Sequence, residues 1–226
     1  MAEMALGYGS EFQLMRFLGH HRDDLNMMIH AATNTAETIE WLDYPYDENR
    51  ISGDGELTGI ECFKELENYP ELSKAWKEFW PQSGSSMNWD GIFKIGDTWY
   101  FVEAKANTLE AFQKGGARSE KSIQTIKNAF ATTKGWLRID NDKEWFDSDC
   151  YQLANRLAFI CFCDKNGIKA KLLYVSFLNG YWKKNVERIE EWMGVWNKQY
   201  EMLGITEANV KDWLFHIYPD CNPKKK

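Results

Sequence analysis

The sequence predicts a mixed α/β domain, a small central sheet flanked by helices. Three observations predict it. Helical periodicity fills both ends of the chain, an apolar hairpin with a Gly96-Asp97 turn lies in the middle, and a β-rich run, IKAKLLYVSF, follows a long helical stretch. The order helices, hairpin, helix, strand, helices is that of one layered unit. With 226 residues, 44% of them hydrophobic and 27% charged, the chain can bury a full core. No Pro/Gly/Ser-rich linker divides it, so residues 1–226 are expected to form a single domain.

In order along the chain, Ser10 is the expected N-cap of a first helix with Phe12, Met15, Phe17 and Leu18 as its apolar stripe. A second helix is expected from Asp23 to Ala32. TIEWLDYP, residues 38–45, reads as a short strand closed by Pro45, and DENRISGDGELTG as a loop. Residues 59–80 hold two helical stretches divided at Tyr69-Pro70 and stopped by Pro81. After the hairpin, Gly115-Gly116 precedes a helix from about Ser119 to Thr132. Beyond LRIDNDKEWFDSD, a helix from about Cys150 to Asp164 shows Leu153, Leu157, Ile160 and Cys161 at helical spacing, and Asn166-Gly167 ends it. The imperfect alternation of IKAKLLYVSF predicts a strand buried on both faces. Asn185 to Gly204 and Glu207 to Phe215 read as helical, ahead of a tail with three Lys.

Composition excludes several classes. Aromatic residues make up 15% of the chain, with 11 Trp, which argues for a core or groove of large rings and against disorder. The start, MAEMALGYGSEF, lacks a basic region followed by an apolar run, and no stretch approaches the roughly 18 apolar residues of a membrane helix. A cytoplasmic protein with no membrane partner is expected. The five Cys include Cys161 and Cys163 in LAFICFC, without nearby His, and read as buried thiols. His20 and His21 point about 100° apart on a helix and do not make a joint metal site. Trp76, Phe79 and Trp80 read as core. A net charge of −7 is unfavourable for non-specific nucleic-acid binding. Locally the sign reverses: Lys114, Arg118, Lys121, Lys127, Lys134 and Arg138 face only Glu120 between Gln113 and Arg138.

The hairpin carries the chemistry. A two-residue Gly96-Asp97 turn pairs Ile95 with Thr98, hence Ile92 with Phe101 and Asp90 with Glu103. Side chains alternate along a strand, so Trp99, Phe101, Glu103 and Lys105 share one face, with Asp90 against them. Carboxylates directly opposite, with Cβ atoms about 4.5–5.5 Å apart, destabilise a sheet by up to roughly 1 kcal/mol unless something compensates. Lys105 offers one positive charge; a divalent cation offers two and uses both acids as oxygen ligands. Two acids and a lysine in this relation suit metal-assisted phosphodiester hydrolysis, with Lys105 orienting water or stabilising charge on the phosphate.

Asp90, twelve intervening residues and then Glu103-Ala104-Lys105 resemble the PD-(D/E)XK superfamily of restriction-endonuclease-like nucleases, although Trp89 stands where the motif has Pro. FWPQSG before WD, EAKAN, and YQLANRLAFICF resemble an uncharacterised bacterial branch of it. The resemblance covers most of residues 10–178 and implies an αβββαβ core there, with a C-terminal helical extension over about 180–226. It implies Asp90 and Glu103 as ligands of Mg²⁺ (or Mn²⁺), the Ala104 carbonyl as a third ligand and Lys105 as the catalytic lysine. A further acid would come from Glu11, Glu56 or Glu61. Gln152 and Arg156, one helical turn apart, are candidates either to reach the phosphate or to hold their helix to the sheet edge. Lys114, Arg118, Lys121 and Lys127 are the candidate nucleic-acid contacts. The expected activity is a metal-dependent nuclease, with DNA favoured over RNA. The alternatives are a catalytically inactive interaction module of that fold, or a nuclease active only as a homodimer or within a larger complex.

Overall fold

The computed structural model describes residues 9–42, 57–82, 87–180 and 185–222. Among them, seven α-helices surround one five-stranded sheet. Helices α1 (Ser10–His20) and α2 (Arg22–Thr33) come first, then strand β1 (Ile39–Trp41). A 3₁₀ turn (Glu61–Phe63) and α3 (Tyr69–Phe79) lead to β2 (Gly91–Ile95) and β3 (Thr98–Lys105). Next come α4 (Glu120–Trp136), α5 (Tyr151–Lys165), β4 (Ala170–Ser176), α6 (Ile189–Leu203), α7 (Glu207–Val210) and β5 (Leu214–Ile217).

Strands lie in sequence order, β1-β2-β3-β4-β5. The first three are antiparallel, whereas β4 runs parallel to β3 and β5 parallel to β4. The hairpin register is the expected one: Ile95 faces Thr98 and Ile92 faces Phe101. Gly96 has φ 54°, the left-handed value that favours glycine at the first position of such a turn. The parallel step from β3 to β4 needs a crossover, and α4 and α5 supply it.

Alternation along the strands divides the core in two. Tyr100, Val102 and Ala104 of β3, with Leu173 and Val175 of β4, pack against Leu14 and Phe17 of α1 and Leu25 and Ile29 of α2. On the other face Ile92, Phe101, Leu172 and Tyr174 meet α3, α4, α5 and α6 through residues such as Trp76, Phe130, Phe159 and Trp192. Layered this way, α5 lies between the sheet and further helices, and Leu157 through Cys163 are all buried. Trp76 and Trp80 belong to this core, and all five cysteines are free thiols. No helix among the described residues is long and apolar enough to cross a membrane.

Several expectations are corrected. Gly9, not Ser10, occupies the N-cap of α1, and the buried residues are Gln13, Leu14 and Phe17, while Met15 is 55% exposed. Only a 3₁₀ turn forms in the first part of residues 59–80. Ser119 does cap α4, its hydroxyl accepting from the Ser122 N–H at 3.1 Å, but the helix runs a turn further than expected, to Trp136. The largest change is at the C-terminal end. The expected helix over Glu207–Phe215 stops at Val210, and Leu214–Ile217 is a strand hydrogen-bonded to β4. The expected helical extension therefore contributes a strand to the central sheet. In parallel strands apolar runs carry little alternation, so a four-residue example has no period to distinguish it from a helix end.

Candidate active site

The β2–β3 ladder ends at Gly91–Val102, one pair short of Asp90–Glu103. Before that point the chain leaves β2 to pair elsewhere: Trp89 N–H donates to the Leu57 carbonyl at 3.2 Å, and Thr58 bridges Asn88. Ala104 thereby loses a ladder acceptor, and the Asp90 carboxylate supplies one, Oδ2 accepting the Ala104 N–H at 2.6 Å. Asp90 is thus fixed at the end of β3 by the peptide N–H of Ala104, between Glu103 and Lys105 in the chain.

Glu103 and Lys105 point to the face that carries Phe101, where α5 packs, and they are 2% and 4% exposed. Each oxygen of Glu103 is occupied. Oε1 accepts from the Lys105 ammonium and from Gln152 Nε2 at 2.9 Å, and Oε2 accepts from Arg156 Nε at 2.7 Å. Arg156 is itself buried, its guanidinium donating at 2.8 Å to the Asn88 carbonyl and lying 4.5 Å from the centre of the Trp89 ring. One arginine on α5 thus joins the start of the hairpin to the end of β3. Gln152 and Arg156, the pair expected either to reach a phosphate or to hold their helix to the sheet edge, both bond Glu103 on β3, the middle strand of the sheet. On β4, Tyr174 stands opposite Glu103 and Ser176 opposite Lys105, both buried.

Electrostatics separates the two acids. Burial pushes the Asp90 carboxyl up to about 7, and the charge of Glu103 adds to this; Lys105, the Ala104 N–H and Arg156 oppose it. Burial also acts on Glu103, but the charges of Arg156 and Lys105 and their hydrogen bonds outweigh it and hold Glu103 below the ordinary value. The fixed anion of the site is therefore Glu103.

Neither Glu61 nor Glu11 is brought to this cluster. Glu61 accepts from the Thr58 N–H at 3.0 Å and from Lys64 at 3.3 Å, serving its own turn. Glu11 is on α1, whose buried residues pack on the opposite sheet face. Glu56 lies outside the described residues. No group of three or more His, Cys, Asp or Glu placed to hold a metal occurs among the described residues. By donor chemistry, the Asp90 and Glu103 carboxylates on either side of the Ala104 N–H suit Mg²⁺, which is commonly held by one or two carboxylates with phosphate and water completing its shell.

The basic segment is partly neutralised by the loop after α4. Lys114 pairs with Asp149 at 3.5 Å and Lys127 with Glu144 at 3.7 Å, while Arg118 and Lys121 are exposed. Sequence reasoning missed Asn88, Tyr174 and Ser176. The signal that places Tyr174 and Ser176 is the parallel register of β3 and β4, which no turn encodes. The chain matches no protein-family model, no curated protein and no solved structure.

Proposed function

We propose that the chain is a metal-dependent nuclease that hydrolyses phosphodiester bonds, with DNA as the leading substrate, built on a restriction-endonuclease-like core. The observation that carries this is the placing of Asp90, Glu103 and Lys105 together at the end of β3, with Asp90 bonded to the Ala104 N–H and Glu103 bonded to Lys105. The element order supports it as well: with α2, α3 and α4 set aside as additions, α1, β1, β2, β3, α5 and β4, with β4 parallel to β3, have the αβββαβ order of that fold. When bound, Mg²⁺ would polarise the phosphate and lower the pKa of a water. Asp90 and Glu103 would hold the ion, Gln152 and Arg156 keep Glu103 in one orientation, and Lys105 is the cation available to the attacking water or to charge building on the phosphate.

A non-catalytic reading is favoured by one feature. Glu103 is already paired with both buried cations, Lys105 and Arg156, as an acid in a structural network would be. Cleavage of DNA and RNA in Mg²⁺ or Mn²⁺ decides between the two. The nuclease reading expects activity in the wild type and a loss of about a hundredfold or more in Asp90→Asn and Lys105→Ala. Equal cleavage by all three sinks the site, and no cleavage by a folded wild type on any substrate favours the structural network or a requirement for a partner.

A further inference from the structure

We infer that Arg156 couples metal binding to substrate binding: it is a resident counter-cation, so the site accepts a divalent metal only together with an anionic phosphodiester. This rests on the nuclease reading above and adds a condition to it.

The charge count comes first. Asp90 and Glu103 bring two negative charges and Lys105 and Arg156 two positive ones, so even with both acids ionised the cluster is neutral. A divalent cation added alone would leave two uncompensated positive charges among groups of which Glu103, Lys105 and Arg156 are buried. That is costly in a medium of low dielectric. A phosphodiester entering with the cation returns negative charge to the site and supplies oxygens for the metal's remaining positions.

The two cations differ in how firmly they are held. Lys105 has Glu103 as its hydrogen-bond partner and a flexible stem, so it can turn from the carboxylate to the phosphate. Arg156 is held by Glu103 Oε2, by the Asn88 carbonyl and by the Trp89 ring, and a guanidinium does not lose its proton. Its charge stays. The substrate therefore has to balance the metal, and by linkage the metal tightens nucleic-acid binding by the same factor.

Mn²⁺ binding to the full chain, followed by electron paramagnetic resonance, tests this. The protein is titrated alone, with a short DNA duplex, with a short RNA, and with the uncharged methylphosphonate form of the duplex. The expected result is Mn²⁺ affinity raised about tenfold or more by a phosphodiester and unchanged by the methylphosphonate. Arg156→Gln should take up Mn²⁺ alone more tightly than the wild type alone does, and should gain less from added nucleic acid; an unchanged gain would overturn the role of Arg156. Equal Mn²⁺ affinity in every arm, abolished by Asp90→Asn, would overturn the coupling while leaving the metal site standing. Absence of Mn²⁺ binding in all arms would overturn the nuclease reading itself. If Arg156→Gln fails to unfold cooperatively, the wild-type comparison of the charged and uncharged duplexes decides alone.

Discussion

Glu103 is where the stability of the site and its proposed chemistry meet. Removing it leaves Lys105 and Arg156 buried with their shared carboxylate gone, so Glu103→Ala should lose about 3–5 kcal/mol in urea unfolding. Asp90 behaves in the opposite sense. Its carboxyl is raised when folded, so its contribution is present at low pH and lost as pH rises towards about 7. Comparing unfolding free energies from pH 4 to pH 8, the wild type should lose stability relative to Asp90→Asn as pH increases; parallel profiles would show that the folded carboxyl is not raised. The hairpin register was legible as far as Gly91–Val102 because a two-residue turn dictates it, whereas the expected Asp90–Glu103 pair lies one step beyond the end of the ladder and Asp90 accepts the Ala104 N–H instead. The role of Arg156 was only an alternative in the sequence, since it depends on α5 docking against β3 across 53 residues.

Among the elements, the hairpin is the best encoded and β5 the worst. Gly96 at φ 54° is followed by Asp97 without a positive φ, so the turn's demand falls on one residue. Gly96→Ala should cost about 1–2 kcal/mol, read from thermal or urea unfolding, because an L side chain is strained there. A Cβ would also come within 2.8 Å of Glu37 Oε2, a contact the exposed Glu37 can relieve by moving. Unlike the hairpin, β5 has no turn partner next to it in sequence and pairs in parallel with a strand about 40 residues earlier. Local pattern could not choose between strand and helix for Leu214–Ile217; the edge of β4 did. The α1 stripe was assigned correctly at Phe17 and Leu18 and wrongly at Met15 for a related reason: several apolar faces were available on SEFQLMRFLGH, and packing on Val102 and Ala104 selected the one with Leu14 and Phe17.

At the scale of the molecule, β5 closes one side of the sheet. A chain ending at Gly204 would leave β4, buried along nearly its whole length, as an edge with Leu172 and Val175 uncovered. Such a truncation should aggregate on size-exclusion chromatography, and a monodisperse product would show that the last strand is dispensable. The charge pattern also reads differently once folded, because the positive excess around α4 lies beside acids of the following loop.

The stacking of Arg156 on Trp89 has an optical consequence. Indole emission responds to a nearby cation, and Trp89 is fully buried, 4.5 Å from the guanidinium carbon and next in sequence to Asp90. The difference between the emission of the wild type and that of Trp89→Phe isolates this one ring from the other ten tryptophans. The fold thus carries its own fluorescent gauge of whether that guanidinium has moved.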